Sequence, residues 1–328
     1  MAKKRHAVVD LPVYVLVRSL FFSLTWLPEW IVYPALDALG RGFLLVARGR
    51  RRISLDNLRT AFGDTLTEIE LTRLASRACG NAFMVIADIA KLERYTLDGT
   101  LDERCDLSRY ARIRPELLRL AEGKPPVLCT PHLGSWEVAG MLVGREFSGV
   151  HVIARPLGNR YLHAFITSSR SQLGQHMHPR RGGIRYLLEG LRRGQAVGSL
   201  PDQNQRLRGI FVPVFGKLAS CDRSQARLAQ MAGAPILVGA AIRVGRRFRF
   251  AVDIADMFKV AAKAPQGQTA EDVVYEATCR LQRGVEQLIL RSPDQYFWVH
   301  NRYRTRPPEE NSPDNGASGK SQERKRSA

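Results

Sequence analysis

From about residue 123 onward, short apolar runs alternate with amphipathic stretches. This alternation restricts the chain to an α/β fold, a mainly parallel sheet flanked by helices on both faces. Residues 127–130, 150–154 and 196–200 read as strands, and 136–147, 159–173 and 184–192 as helices between them. After a loop, 210–214 is extended, 224–232 helical and 235–244 a strand. An antiparallel partner, 248–254, follows across the turn Gly245-Arg246-Arg247. A long helix over 269–290 and a short extended piece over 295–299 complete the pattern.

Ahead of this region, residues 51–120 read as helical. Ile53, Leu55, Leu58 and Phe62 recur at helical spacing, and Thr67 with Glu70 forms a capping box for the next helix. The apolar stretch over 8–47 is interrupted by Arg18, Glu29 and Arg41 and by Pro12, Pro28 and Pro34. Its longest charge-free piece, 19–28, is shorter than the roughly twenty residues that cross a bilayer. No small-residue cleavage site follows a compact apolar core, so a cleaved signal peptide is not expected. The stretch predicts one or two short helices in the membrane interface, with Trp26, Trp30 and Tyr33 at headgroup level. Arg48, Arg50, Arg51 and Arg52 would meet anionic headgroups. A helical hairpin buried against the domain is the alternative. The expected organisation is thus a membrane-associated helical segment over 1–50 and a main domain over 51–306. Within that domain, 51–120 is a helical lead-in and 121–306 the α/β core. Residues 307–328, polar and nearly free of large apolar side chains, form a disordered tail.

Charge narrows the partners. Fifty Lys and Arg against thirty-one Asp and Glu give +19, which draws the chain to nucleic acid, anionic lipid or an acidic carrier protein. The basic residues are spread through helices and loops with no recognisable nucleic-acid module, so nucleic acid is not an expected partner. Five cysteines stand singly, without a CxxC pair, which argues against a zinc site or a disulfide framework and for a reducing compartment. His176 and His178 lack nearby acidic or thiol ligands and read as solvated loop residues rather than metal ligands.

The chemistry concentrates in Thr130-Pro131-His132-Leu133-Gly134-Ser135-Trp136-Glu137, between a strand and a helix, where α/β folds place their sites. On a continuous helix, residues five apart diverge by about 140°. His132 and Glu137 meet only if the histidine lies in the turn and the glutamate in the first helical turn. Gly134 permits that turn and Ser135 suits its N-cap. A carboxylate on one imidazole nitrogen fixes the tautomer and makes the other a better base towards an alcohol. No Ser or Cys nucleophile is needed, because the alcohol itself attacks. The spacing alone is weak, since a His with an acid five residues on arises by chance in roughly one case in ten.

The run Pro131 to Glu137 resembles the HxxxxD/E motif of the glycerolipid acyltransferases, in the form carried by the bacterial lipid A biosynthesis acyltransferases. Further segments resemble that family in the same order. They are 54–62, Arg155-Pro156-Leu157-Gly158-Asn159, 182–194, Pro201-Asp202-Gln203, 209–216, 226–236, 293–300 and 305–307. The resemblance spans about residues 10–307. It implies that His132 is the general base, oriented by Glu137, acting on a hydroxyl that attacks an acyl thioester. The donor would be an acyl carrier protein, or less readily coenzyme A, and no cofactor is implied. Arg155 would bind an anionic group of the substrate, and Asp202 and Gln203 would line the acceptor site. Backbone N–H groups over 133–136 would receive the oxyanion. The acceptor would be a lipid A precursor or related glycolipid at the cytoplasmic face of the inner membrane. A phosphatidylinositol mannoside or an aminolipid is the alternative. The chain departs from the family pattern at Ser135, where Asn is frequent, and over 220–224, where threonines are common. Both changes bear on the acceptor more than on the reaction.

Overall fold

The computed structural model describes residues 7–308, so most of the expected tail lies outside the described residues. The chain opens with α1 (Ala7–Trp26), α2 (Glu29–Val46), α3 (Arg48–Phe62) and α4 (Glu68–Leu97). Then come β1 (Cys105–Asp106), α5 (Ser108–Ala121), β2 (Val127–Cys129), α6 (Trp136–Glu146), β3 (Val150–Ile153) and α7 (Arg160–Gln172). They are followed by β4 (Gln175–His178), α8 (Gly183–Arg192), β5 (Ala196–Ser199), β6 (Ile210–Val214), β7 (Lys217–Cys221) and α9 (Ser224–Ala232). The last elements are β8 (Pro235–Arg243), β9 (Phe250–Lys259) and α10 (Ala270–Arg291).

Seven strands form one sheet in the order β1-β9-β8-β2-β5-β3-β4. The five from β8 to β4 run parallel, and β9 lies antiparallel on β8. The central strands are apolar throughout because both faces are covered. Val127, Cys129, Ile236 and Val238 pack with α9 and α10 on one face, while Leu128 and Leu237 meet Leu117 of α5 on the other. The hairpin of β6 and β7 is separate from this sheet.

Two elements of the main domain differ from the sequence reading. His176 and His178 lie on β4, not in a loop, and His178 stacks on His151 and Tyr186. A run of polar residues hides this edge strand, because nothing in its composition is strand-like. The expected extended piece at 295–299 enters as a 3-10 turn, Pro293–Gln295, and touches the site through one bridge between Tyr296 and Leu133. The capping box at Thr67 and Glu70 forms as expected.

The N-terminal helices also differ. α1 continues through Pro12 and Arg18 for 20 residues, about 30 Å at 1.5 Å per residue. Its window Val9–Trp26 has mean hydropathy 1.3 and only 11% of it is buried, so by length and composition this helix is long and apolar enough to cross a membrane. The charge-free piece understated it, since one arginine and one proline do not end a helix. Only Pro28, preceding α2, breaks the chain there. α2 packs along α4, burying Val32, Tyr33, Gly40 and Leu44. Tyr33 donates to Asp88 at 2.8 Å, and Arg243 of β8 grips the same buried carboxylate through both guanidinium nitrogens. Removing one partner of such a buried pair costs about 3–5 kcal/mol, so α2 is tied to the sheet rather than appended to it.

Candidate active site

Strand register brings the first two site residues together. Cys129 of β2 pairs with Ser199 of β5 in parallel, and the Thr130 N–H donates to the Ser199 carbonyl at 3.0 Å. Each strand then runs three residues beyond this pair, through a proline, to His132 and Asp202 respectively. The two side chains therefore leave the carboxyl edge of the sheet side by side. α6 and α9 pack on opposite faces, and the carboxyl edge of an α/β sheet between such helices is where these folds hold their ligands.

Asp202 is almost completely buried and His132 is part-buried. The His132 Nδ1–H donates to Asp202 Oδ1 at 2.8 Å, and the His132 backbone N–H donates to Asp202 Oδ2 at 2.9 Å. This fixes the tautomer and leaves Nε2 as the basic nitrogen. The Gln203 side-chain amide sits on that nitrogen, with Nε2 to Nε2 at 3.3 Å. Trp136 and Phe297 flank the ring at centroid distances of 5.0 and 6.0 Å. Burial opposes protonation of His132, but the Asp202 carboxylate and the more remote Glu137 outweigh it, so the imidazole pKa lies above its ordinary value. Burial likewise works against ionisation of Asp202. The contacts with His132, helped by Arg302, win and hold the carboxyl below the usual range.

Glu137 sits in the first turn of α6, as expected, but its carboxylate is taken by another residue. Arg170 of α7 holds both oxygens, with Nε at 3.1 Å from Oε2 and Nη2 on Oε1. Glu137 thus reaches His132 through its charge, whereas the hydrogen bond that orients the ring comes from Asp202. Asp202 therefore lies behind the histidine rather than in an open acceptor wall. Arg155 is exposed in the loop after β3, and no hydrogen bond or ion pair engages it among the described residues.

Two local expectations are corrected. Ser135 occupies the N-cap position of α6, but its buried hydroxyl has no hydrogen-bond partner. The backbone N–H groups of Leu133, Gly134 and Ser135 donate to Pro131, Gln295 and Ala241 carbonyls, at 2.7, 3.2 and 2.9 Å. They are unavailable to an oxyanion, which leaves only Trp136 of the four expected donors. The turn is tight because it is anchored against β8. Gly134 adopts φ +58°, and a Cβ there would lie 2.1 Å from the Ala241 carbonyl oxygen.

The model of the bacterial lipid A biosynthesis acyltransferase family matches residues 2–305. The chain belongs to this family. Within it, the chain is 26% identical over 184 residues to a lipid A biosynthesis palmitoleoyltransferase of Escherichia coli, covering 55% of this chain and 56% of that protein. It spans only about half the length of that relative. A lipid A biosynthesis lauroyltransferase of Escherichia coli is 23% identical over 288 residues, with 86% and 89% covered. A phosphatidylinositol mannoside acyltransferase of Mycobacterium tuberculosis is 30% identical over 122 residues, covering 36% and 39%.

The family segments now have physical tasks. Asn57, from the 54–62 segment, donates to the carbonyls of Trp298 and His300, both at 2.7 Å. It so ties α3 to the segment that follows α10. That segment in turn holds the His132 turn, since the Phe297 N–H donates to the His132 carbonyl at 3.0 Å. Sequence reasoning passed over Arg170 and Arg302, and gave Tyr296 and His300 no task beyond their place in the 293–300 family segment. An arginine in a basic chain or an aromatic in an apolar run carries no local mark of its partner. In the family's departure over 220–224, the Ser220 hydroxyl donates to the Arg206 carbonyl at 2.5 Å, closing the loop after β5.

Proposed function

We propose that this chain transfers a fatty acyl group from an acyl thioester, acyl carrier protein being the expected donor, to a hydroxyl of a lipid A precursor or related glycolipid. The observation that carries the reading is the His132–Asp202 pair at the carboxyl edge of the sheet, in a chain of this family. The acceptor hydroxyl displaces Gln203 from His132 Nε2 and gives its proton to that nitrogen as its oxygen bonds to the thioester carbon. The tetrahedral intermediate then collapses, the carbon–sulfur bond breaks, and the thiolate takes the proton back from His132 Nε2. Asp202 stabilises the imidazolium, and the charge of Glu137 adds to that effect. Arg155, exposed and unengaged among the described residues, meets an anionic group of the substrate, a role that its two-pronged donor geometry suits.

A lipid acceptor stays in its leaflet, so the site must open to a bilayer. α1 supports this placement. Leu16, Leu20, Phe22 and Trp26 are exposed along it, and its Asp10 carbonyl accepts from Asn159 at the start of α7, beyond the Arg155 loop. The proposed location is the cytoplasmic face of the inner membrane, where acyl carrier protein is soluble and the basic surface has two anionic partners. The 30% identity to the mannoside acyltransferase segment favours, as a second reading, the same reaction on a phosphatidylinositol mannoside.

The test is to incubate purified protein with long-chain acyl–acyl carrier protein and candidate lipids and to follow transfer by mass spectrometry. His132→Ala should reduce transfer on the order of 10² to 10⁴-fold. Transfer to the mannoside alone would replace the acceptor. Undiminished transfer by His132→Ala would remove the mechanism.

A further inference from the structure

The segment after α10 crosses both turns of the site. The Asn204 N–H donates to His300 Nε2 at 3.0 Å, and the Asn204 side-chain amide donates to Thr305 Oγ1 at 3.1 Å. Between these contacts lies Arg302, only 4% exposed. Its guanidinium donates to the Ser220 carbonyl at 2.8 Å, the Gln203 carbonyl at 3.4 Å and Cys221 Sγ at 2.6 Å, while Nε has no partner. Among the described residues no carboxylate lies within ion-pair distance of it, and burial pushes the Cys221 thiol up, so its direct partners are neutral. A buried cation with only neutral contacts needs a nearby anion to balance it. Asp202, next in the chain to the Gln203 carbonyl that Arg302 holds, is the carboxylate in position to do so. Each of the two groups favours the charged form of the other.

We propose that Arg302 is a positioning residue for the reaction: it clamps the loop carrying Asp202 and Gln203, and supplies the counter-charge that lets the His132–Asp202 pair stand without an added proton. The inference rests on the reading of His132 as the base. With Arg302 in place, ionised Asp202 and neutral His132 leave the cluster balanced. Without it the same state carries one buried negative charge, which a proton on His132 Nε2 would cancel, and the base would then be occupied. The other groups facing the cluster do not substitute for it. The Tyr296 phenol is pushed up by burial and the His300 imidazole is pushed down by it, so both are neutral at pH 7. Glu137 is paired with Arg170, and Arg50 acts on His300 from outside.

The experiment is a nuclear magnetic resonance titration of ¹⁵N-histidine-labelled full-length protein in detergent, alongside kcat/KM against pH. The wild type is compared with Arg302→Gln, which keeps donors without charge, and Arg302→Lys, which keeps charge without the fork. In Arg302→Gln the His132 midpoint should rise by about one pH unit, and the acid limb of kcat/KM should rise with it. A merely structural arginine would lower kcat without moving either. An unmoved midpoint in folded Arg302→Gln overturns the proposal. Should that variant not fold, Arg302→Met decides in its place, with Arg302→Lys as the charge-retaining control: a raised midpoint in Arg302→Met beside an unmoved one in Arg302→Lys supports the proposal, and the same midpoint in both overturns it. Absence of acyl transfer by the wild type, with the midpoint responding as expected, would overturn the acyl-transfer reading while the charge coupling stands.

Discussion

Both carboxylate oxygens of Asp202 bind one residue, His132, the first at the ring nitrogen Nδ1 and the second at the backbone N–H. The side chain and main chain of His132 are therefore fixed by a single buried group, and rotation of the ring would require breaking that bond inside the protein. This is preorganisation of the kind a general base needs, since proton transfer requires the lone pair to point at the substrate before reaction.

Asp202→Asn tests this arrangement. Asparagine still accepts from the His132 N–H, but its amide cannot stabilise an imidazolium and favours the wrong tautomer. The expected loss is on the order of 10² to 10⁴-fold in kcat, with the melting temperature lowered much less than activity. A loss under fivefold would place the orienting role elsewhere.

The raised pKa of His132 sets a pH dependence. The base works only when Nε2 is unprotonated, so kcat/KM should increase with pH through an acid limb that lies above about 6.5, the ordinary histidine value. The stabilising effect of the protonated ring has the opposite sign. It is present at low pH and lost as pH rises through the folded-state pKa. Rate profiles across pH 5–9 with a fixed donor would locate the limb, and a limb well below 6.5 would contradict the charge arrangement.

Glu137→Gln removes a distant negative charge from His132 and should move that acid limb downward. It also leaves Arg170 without its carboxylate. Because Arg170 is partly exposed, the expected destabilisation is about 1–3 kcal/mol. Arg170→Gln should cost a similar amount, and the double variant should cost less than the sum of the two singles. Thermal or denaturant unfolding of the three proteins measures this.

Gly134→Ala places a methyl group 2.1 Å from the Ala241 oxygen at a positive φ. The turn must shift, with a cost of about 2–4 kcal/mol, and His132 moves with it. Activity should fall by more than the stability change alone explains, which activity per folded molecule would report.

Leu16 and Phe22 of α1 are 70% and 67% exposed. Leu16→Asp with Phe22→Asp should shift the protein from vesicle-bound to free in sedimentation with anionic liposomes, since a charge on a lipid-facing position is costly. Activity on a detergent-dispersed acceptor should persist. Unchanged sedimentation would mean that α1 does not face lipid.

Local signals were sufficient for much of this protein. The alternation of apolar runs specified the mainly parallel sheet, because a strand buried on both faces must be apolar throughout. The turn from His132 to Glu137 was legible because glycine, a helix start and a strand end fall within a few residues. The polar strand β4 was not, since its stability comes from β3 rather than from its own composition. The partner of His132 was likewise beyond local reading. Glu137 lies five residues away, but Asp202 lies seventy residues away, and the two meet because Cys129 and Ser199 share a register in adjacent strands. Strand order and register depend on the packing of every helix against both faces. Only the tertiary structure therefore decided which carboxylate holds His132, which one pairs with Arg170, and which loop the buried Arg302 clamps.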